Sequence, residues 1–351
     1  MKCLSSASAR PNFVKLASVD HALRAKGIEH VIVHTGQHYD PLLSDVFFTQ
    51  LDITEPKYNL GIKGKSDREA VIADTADAFE GVLMKEKPDV VFVYGDVNGA
   101  VGAARAAKKL GFILAHVEAG LRSFDTDMPE ELNRIEIDSI ADYLFTTEIS
   151  ANEILKKEGR KGEVHFVGNT MIDTLLSLLP LIQQEKAPEG VETFAVSTIH
   201  RPSNVDSQAS LQSVFDFLSD IPMTVLLPLH PRTKAALAKF ALSTPQNVRL
   251  IDPLGYIQFL GLCSHAAFIL TDSGGIQEEA VILGKKCFTL RRNTERPSTI
   301  ASGSNTLIDP SLPGDRQQVI DFAVHPSVSI TVPPLWDGKA GDRILDVLSA
   351  L

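Results

Sequence analysis

Four side chains in the first half of the chain have the types and positions that proton transfer requires. Asp96 ends the apolar run "DVVFVYGD" and Glu118 ends "FILAHVE", each where a buried strand would reach its carboxyl end. A carboxylate there is costly unless it is paired or put to use. Two of them at one sheet edge can take and give protons on a substrate. The bland reading is that Asp96 caps the next helix; Glu118, followed by Ala-Gly-Leu-Arg, offers no helix start. Downstream, "DMPEELNRIEIDSIADYLF" sets Glu130, Arg134, Ile137, Ala141 and Leu144 at steps of four, three, four and three, one helical stripe. Its apolar end faces a core, so the spacing predicts that Glu130 and Arg134 point inward and that Glu131 is rotated away. On a surface such a Glu–Arg pair has little consequence; on a core-facing stripe it is a candidate site. Asp127 and Glu130 have capping-box spacing, and Pro129 suits a first turn.

The second half offers an anion site. In "AAFILTDSGGIQEEAVILG" an apolar strand runs into Ser273, Gly274 and Gly275 and then a helix. Glycines let backbone amides approach a ligand, and a helix N-terminus favours a diphosphate. Glu279 shares a stripe with Ile276, Ala280 and Leu283, one turn along, where a carboxylate can accept ribose hydroxyls. An ordinary tight turn is the plain alternative. His200 and His230 also end apolar strands, each with an arginine close behind, Arg201 and Arg232. A structural hydrogen bond is the commoner use of one such histidine; two at the ligand edge shift the balance modestly. Arg10 and Lys15 lie between the first strand and its helix, where they can meet phosphates or simply solvent. Arg296 sits in the charged loop "RRNTERP" after the strand "KKCFTL".

These groups need a scaffold that brings strand ends together. "HVIVHTG", "DVVFVYGD" and "FILAHVEAG" are continuous apolar runs, the pattern of parallel strands buried on both faces. Helical stretches such as "DREAVIADTADAFEGVLMKE" alternate with them, and the rhythm resumes with "FAVSTIHR", "MTVLLPLHPR" and "AAFILTDSGG". This is βαβ repetition, an α/β fold of parallel sheets with right-handed crossovers. A chain of 351 residues suits two domains. The polar stretch "LIQQEKAPEGVET" interrupts the rhythm and places a boundary near residues 168–192.

Composition narrows the classes of function. The net charge of −10 argues against nucleic acid or an anionic membrane surface as partner. No run approaches the length of a membrane helix, and "MKCLSSASARP" is a poor signal peptide. Cys3, Cys263 and Cys287 have unrelated spacings, so a cytoplasmic location is expected. Metal chemistry lacks HExxH or a cysteine pair, a nicotinamide cofactor lacks G-x-G-x-x-G after a strand, and "DSGGI" is no nucleophile elbow. We expect neither metal nor cofactor.

Taken in order, "ARPNFVKLA", "HTGQHYD", "VYGDVNGAVGAA", "HVEAGLRSFDTDMPEELNR", "VGNTMIDTL", "TIHRPSN", "PLHPRT", "DSGGIQEEA" and "RRNTERP" resemble the non-hydrolysing UDP-N-acetylglucosamine 2-epimerases across almost the whole chain. The resemblance implies two Rossmann-like domains facing across a cleft, a glycosyltransferase-B-like architecture. Residues 1–170 would carry the acid–base carboxylates and residues 171–336 would bind UDP, with a helix in 337–351 returning to the first domain. It implies a homodimer that interconverts UDP-N-acetylglucosamine and UDP-N-acetylmannosamine, or a modified UDP-2-acetamido sugar, by eliminating UDP to a 2-acetamidoglucal and adding it back. Asp96, Glu118 and Glu130 match the family's acid–base carboxylates, Arg134 their basic partner, and His200 the histidine at the diphosphate. Ser273, Gly274 and Gly275 match the diphosphate turn, Glu279 the ribose carboxylate, and Arg10 and Lys15 N-terminal contacts to the substrate.

The chain also departs from the pattern. Ser8 and Ala9 stand before Arg10 where a glycine normally ends the first strand, and "GDVNG" replaces Gly-Asp-Thr-x-Ser, so Val97 and Gly99 remove two hydroxyls beside Asp96. Ser203 stands for a common glutamate. Gln37 matches one glutamine of a second, activating UDP-sugar site, but Ala70 and Val71 stand where a Gln-Thr pair is expected, so allosteric activation is only half carried. A hydrolysing relative that releases N-acetylmannosamine, a glycosyltransferase on the same fold and a non-catalytic UDP-sugar sensor remain the alternatives.

Overall fold

The computed structural model describes residues 1–36, 48–62 and 67–349. The chain divides into two compact units, Met1–Ser177 with Pro334–Leu351, and Leu178–Pro333. In the first, seven strands lie in the order β3-β2-β1-β4-β5-β6-β7. They are β1 (Lys2–Ala7), β2 (Glu29–His34), β3 (Tyr58–Asn59), β4 (Val90–Tyr94), β5 (Ile113–Ala119), β6 (Tyr143–Thr146) and β7 (Glu163–Phe166). Every pairing is parallel. All five residues of β4 are buried, which explains a run with no polar alternation. Ala103, Ala104, Ala106 and Ala107 of the helix Asn98–Lys109 are wholly buried, and their small side chains let that helix lie close to its neighbours.

The order reverses between β1 and β4, and a crevice beyond the carboxyl ends of the strands at such a point is where open α/β sheets bind ligands. The last helix, Ala340–Leu348, belongs to this unit. A Cβ on Gly341 would come within 2.5 Å of the Ser18 carbonyl oxygen in the first helix, Arg10–Ala25, so glycine permits the close approach. Asp173 Oδ2 accepts from Ser18 Oγ at 2.6 Å and from Gly341 N at 3.0 Å, tying three segments together.

One expected element ends early. The stripe read through Ala141 and Leu144 is cut by the end of the helix Pro129–Ile140, and Leu144 lies in β6. Asp142 enforces the turn: its carboxylate accepts from Leu114 N at 2.8 Å and from Lys108 Nζ at 2.7 Å.

The second unit repeats the plan with six parallel strands in the order β10-β9-β8-β11-β12-β13. These are β8 (Phe194–Thr198), β9 (Thr224–Pro228), β10 (Val248–Ile251), β11 (Phe268–Thr271), β12 (Lys286–Leu290) and β13 (Asn305–Ile308). Its reversal falls between β8 and β11. Phe268, Phe288 and Phe322 pack edge to face in its core. No described helix is long and apolar enough to cross a membrane.

Candidate active site

The reversal in the first unit is lined by the segments at the carboxyl ends of β1, β4 and β5. Glu118, next to last in β5, has φ +72°, and the pairing with β6 shifts register between Val117 and Ala119. A bulge re-aims a side chain, and a left-handed glutamate persists only where surrounding structure holds it. The hold here is Lys15 of the helix Arg10–Ala25, whose Nζ lies 2.6 Å from Glu118 Oε2 with both side chains buried. Gly95 makes the room: it has φ +62°, and a Cβ there would sit 2.8 Å from Lys15 Nζ.

Asp96, the next residue, pairs with Arg134 NH2. Arg134 also reaches Glu131 Oε2 at 3.3 Å, and both residues are buried. Glu131 was expected to face away; the structure buries it. Its carboxylate accepts from Ser123 N at 2.9 Å, Ser123 Oγ at 3.0 Å and Phe124 N at 3.1 Å. Glu130 is half-buried. Glu131 stands three residues before Arg134, so the broad buried face that takes Arg134 and Ile137 takes Glu131 as well. The capping box fails too: the helix starts at Pro129 with Met128 as its cap residue and no side-chain cap bond. Asn133 instead braces the Asp96 turn, donating to the Asp96 carbonyl at 2.7 Å.

Beneath these groups lies a network that no motif announced. Asp138 and His116 are both fully buried, with Asp138 Oδ1 2.7 Å from His116 Nδ1. Asp138 also contacts Arg122 at 2.7 Å, and Arg122 grips Glu158 through two bonds of 2.9 Å. The only hint in the sequence was spacing: Asp138 lies one helical turn after Arg134.

The missing hydroxyl at Gly99 has a structural counterpart. A Cβ on Gly99 would lie 2.1 Å from Ser8 Oγ, and Ser8 Oγ accepts from Thr35 Oγ1 at 2.7 Å. Ser8 thus fills the space that a side chain at position 99 would take, so the two positions trade one side chain between them in a swap. Gly99→Ser alone should cost about 1–3 kcal/mol through overpacking. Ser8→Gly combined with Gly99→Ser should recover most of it in a urea-denaturation double-mutant cycle; purely additive losses would contradict the swap.

In the second unit Asp272, fully buried after β11, organises the reversal. It accepts from the backbone N–H of His200 at 2.9 Å and of Arg201 at 2.8 Å, and from Asn204 Nδ2 at 3.0 Å. His200 Nδ1 lies 3.1 Å from Asp272 Oδ1, which orients the imidazole, and burial holds its pKa below the ordinary histidine value. The His230 ring is 5.1 Å away, and its Nδ1 caps the next helix by accepting from Arg232 N at 3.2 Å.

The helix Gly274–Ile282 starts beside them with Ser273 at its cap position. Its first N–H groups have no partner within the helix and present a positive dipole end. Arg296 lies underneath, 2.7 Å from Glu278 and paired with Glu295, all three buried. A Cβ on Gly274 would meet Arg296 NH1 at 2.6 Å, so a larger residue there would have to displace the guanidinium. Glu279 is buried, accepts from Tyr256 OH at 2.8 Å, and burial pushes its pKa up to about 7. Tyr256 was not anticipated. Arg10 opens the first helix, though its side chain is outside the described part, and Gln37 lies outside the described residues. Among the described residues no three His, Cys, Asp or Glu side chains group as metal ligands.

Residues 21–349 match the profile of the family described as UDP-N-acetylglucosamine 2-epimerase. A UDP-N-acetylglucosamine 2-epimerase from Methanocaldococcus jannaschii is 39% identical, with 97% of this chain and 96% of the relative aligned. A UDP-2,3-diacetamido-2,3-dideoxy-D-glucuronate 2-epimerase from Pseudomonas aeruginosa is 37% identical over 100% of both chains. The crystal structure of the M. jannaschii enzyme in complex with UDP-GlcNAc and UDP superposes with a TM-score of 0.90 over 100% of both chains, at 37% identity. The two parallel-sheet units are accordingly of the glycosyltransferase-B-like class.

Proposed function

The chain belongs to the UDP-N-acetylglucosamine 2-epimerase family and is an epimerase, an isomerase by class, and from that premise we propose that it inverts C2 of a UDP-2-acetamido sugar while retaining UDP. The observation that carries the reading is the pairing of Lys15 with Glu118 and of Arg134 with Asp96 at the carboxyl edge of one sheet. Inversion needs a proton removed from one face of C2 and delivered to the other, which positioned carboxylates can do. Departure of UDP from C1 makes the C2 hydrogen acidic, and elimination leaves a 2-acetamidoglucal. Asp96, Glu118 and Glu130 are the acid–base groups, with Arg134 fixing Asp96. His200 and the Gly274–Gly275 amides hold the diphosphate, and Glu279 takes the ribose hydroxyls. Arg10 and His230 lie on the nucleotide side, and Arg296 supports the diphosphate turn from below.

The relatives' names offer two sugars, N-acetylglucosamine and a 2,3-diacetamido-glucuronate. Incubation with each UDP-sugar and anion-exchange separation of the products tests the reading. An intact UDP-sugar of manno configuration supports it, free N-acetylmannosamine with UDP supports the hydrolysing alternative, and no turnover of either sugar sinks both. The buried free thiols Cys3, Cys263 and Cys287 suit a reducing cytoplasm, and the family resemblance supports a homodimer.

Glu279 makes nucleotide affinity depend on pH. With a pKa of about 7 it is largely protonated in mildly acidic solution, whereas ribose hydroxyls need the carboxylate as acceptor. The affinity for UDP-N-acetylglucosamine, whose diphosphate diester does not titrate here, should therefore fall about tenfold per pH unit below the pKa. Titration calorimetry in the Glu118→Gln background avoids turnover. His200 pulls the opposite way if it gains a proton, so the comparison with Glu279→Gln isolates the effect. Identical pH profiles for the two proteins would remove Glu279 from the ribose site.

A further inference from the structure

Both ring nitrogens of His116 face oxygen acceptors. Nδ1 lies 2.7 Å from Asp138 Oδ1, and Nε2 lies 2.9 Å from the Gly95 carbonyl oxygen. A carbonyl cannot donate, so Nε2 carries a proton. On the other side, Asp138 Oδ2 accepts from Arg122 NH2 at 2.7 Å and from Gly120 N at 3.1 Å, so that carboxylate is surrounded by donors. Burial alone would raise its pKa, yet His116 and Arg122 outweigh that and hold it below the usual carboxylate value. Arg122 is in turn matched by Glu158, which also pairs with Arg160, so the buried guanidinium and both carboxylates each meet opposite charge, the condition under which buried ions are tolerated.

From this geometry we infer that His116 is an imidazolium held in the core between Asp138 and the Gly95 carbonyl, and that it is a positioning residue for the acid–base carboxylates. Gly95 immediately precedes Asp96, His116 precedes Glu118 by two residues on β5, and Asp138 comes four residues after Arg134 on its helix. One cation therefore ties together the three elements that carry those groups. Its kinetic consequence rests on the reaction proposed above; its protonation state does not.

The test uses the full-length protein labelled with [15N]histidine, with the His116 signals assigned by their loss in His116→Asn. Both ring nitrogens should carry protons in the buffer used for epimerisation, since each faces an oxygen acceptor. A neutral tautomer under those conditions overturns the inference, whether or not the protein epimerises anything. In Asp138→Asn the ring should become neutral and kcat should drop by roughly 10- to 100-fold, with KM little changed and the acid limb of the pH profile displaced. Arg122, Glu158 and Arg160 are the other ionisable groups of the network, and Glu118 and Asp96 those on the neighbouring segments, that such a profile must be compared with. A wild-type kcat and pH profile in Asp138→Asn would overturn the positioning role. His116→Gln, whose amide can still donate to the Gly95 carbonyl, should retain more of kcat than His116→Ala; equal losses would contradict action through Gly95.

Discussion

Glu118→Gln should abolish exchange of the C2 proton, with a rate loss on the order of 10² to 10⁴-fold, while binding of UDP stays at the wild-type value. The reason is separation of labour. The carboxylate lies at the edge of the first unit's sheet, whereas the helix start and Glu279 belong to the second unit. The amide keeps the shape and can still accept from Lys15, but it leaves a buried ammonium without its counter-charge, so the cost to stability should be about 2–3 kcal/mol. Lys15→Met in the same background should add little further loss of rate, because its partner's charge is already gone. Retained exchange in Glu118→Gln would remove Glu118 from the acid–base groups, and lost UDP binding would show that the substitution had damaged more than chemistry.

Arg134→Met has the second large effect, on both fold and rate. Arg134 is buried and contacts Asp96 and Glu131, so its removal takes the cation from two carboxylates, one of them fully enclosed. Breaking a buried pair by deleting one partner costs about 3–5 kcal/mol, to be read from urea denaturation. Release of Asp96 should slow epimerisation by about 100-fold or more. Arg134→Lys keeps the charge but as a point, which cannot grip two carboxylates as a planar fork does. It should restore most of the stability and less of the rate. Wild-type stability in Arg134→Met would contradict the arrangement.

The parallel sheets were legible because β4 is apolar throughout and β5, β8 and β11 are built on apolar runs, and a strand buried on both faces has little polar alternation to confuse with a helix. The same pattern puts Asp96, Glu118, His200 and Ser273 at strand ends without knowledge of any contact. The helix face was less legible. Ala141 and Leu144 continue the right periodicity, yet the break after Ile140 depends on Asp142 meeting Leu114 N, a residue 28 positions back. Periodicity cannot see such a partner, and a single stripe through Glu130 and Arg134 does not show how wide the buried face is, which is why Glu131, three residues before Arg134, belongs on it too. Asp272 was hidden for the same reason: it binds the backbone N–H of Arg201, 71 positions away. Ser8 and Gly99 read as separate departures in sequence and become one exchange only because Ser8 Oγ occupies the space beside Gly99. Local patterns expose strand ends; networks between distant turns appear only in the folded chain.

In the proposed reaction these paired carboxylates move the C2 proton of a UDP-2-acetamido sugar. Incubation with UDP-N-acetylglucosamine in D2O, read by proton NMR, tests it most directly, with the 2,3-diacetamido-glucuronate analogue in parallel. The expected products are UDP-linked gluco and manno sugars that both carry deuterium at C2, with UDP retained. Tight binding of both UDP-sugars without any deuterium at C2 would contradict the claim.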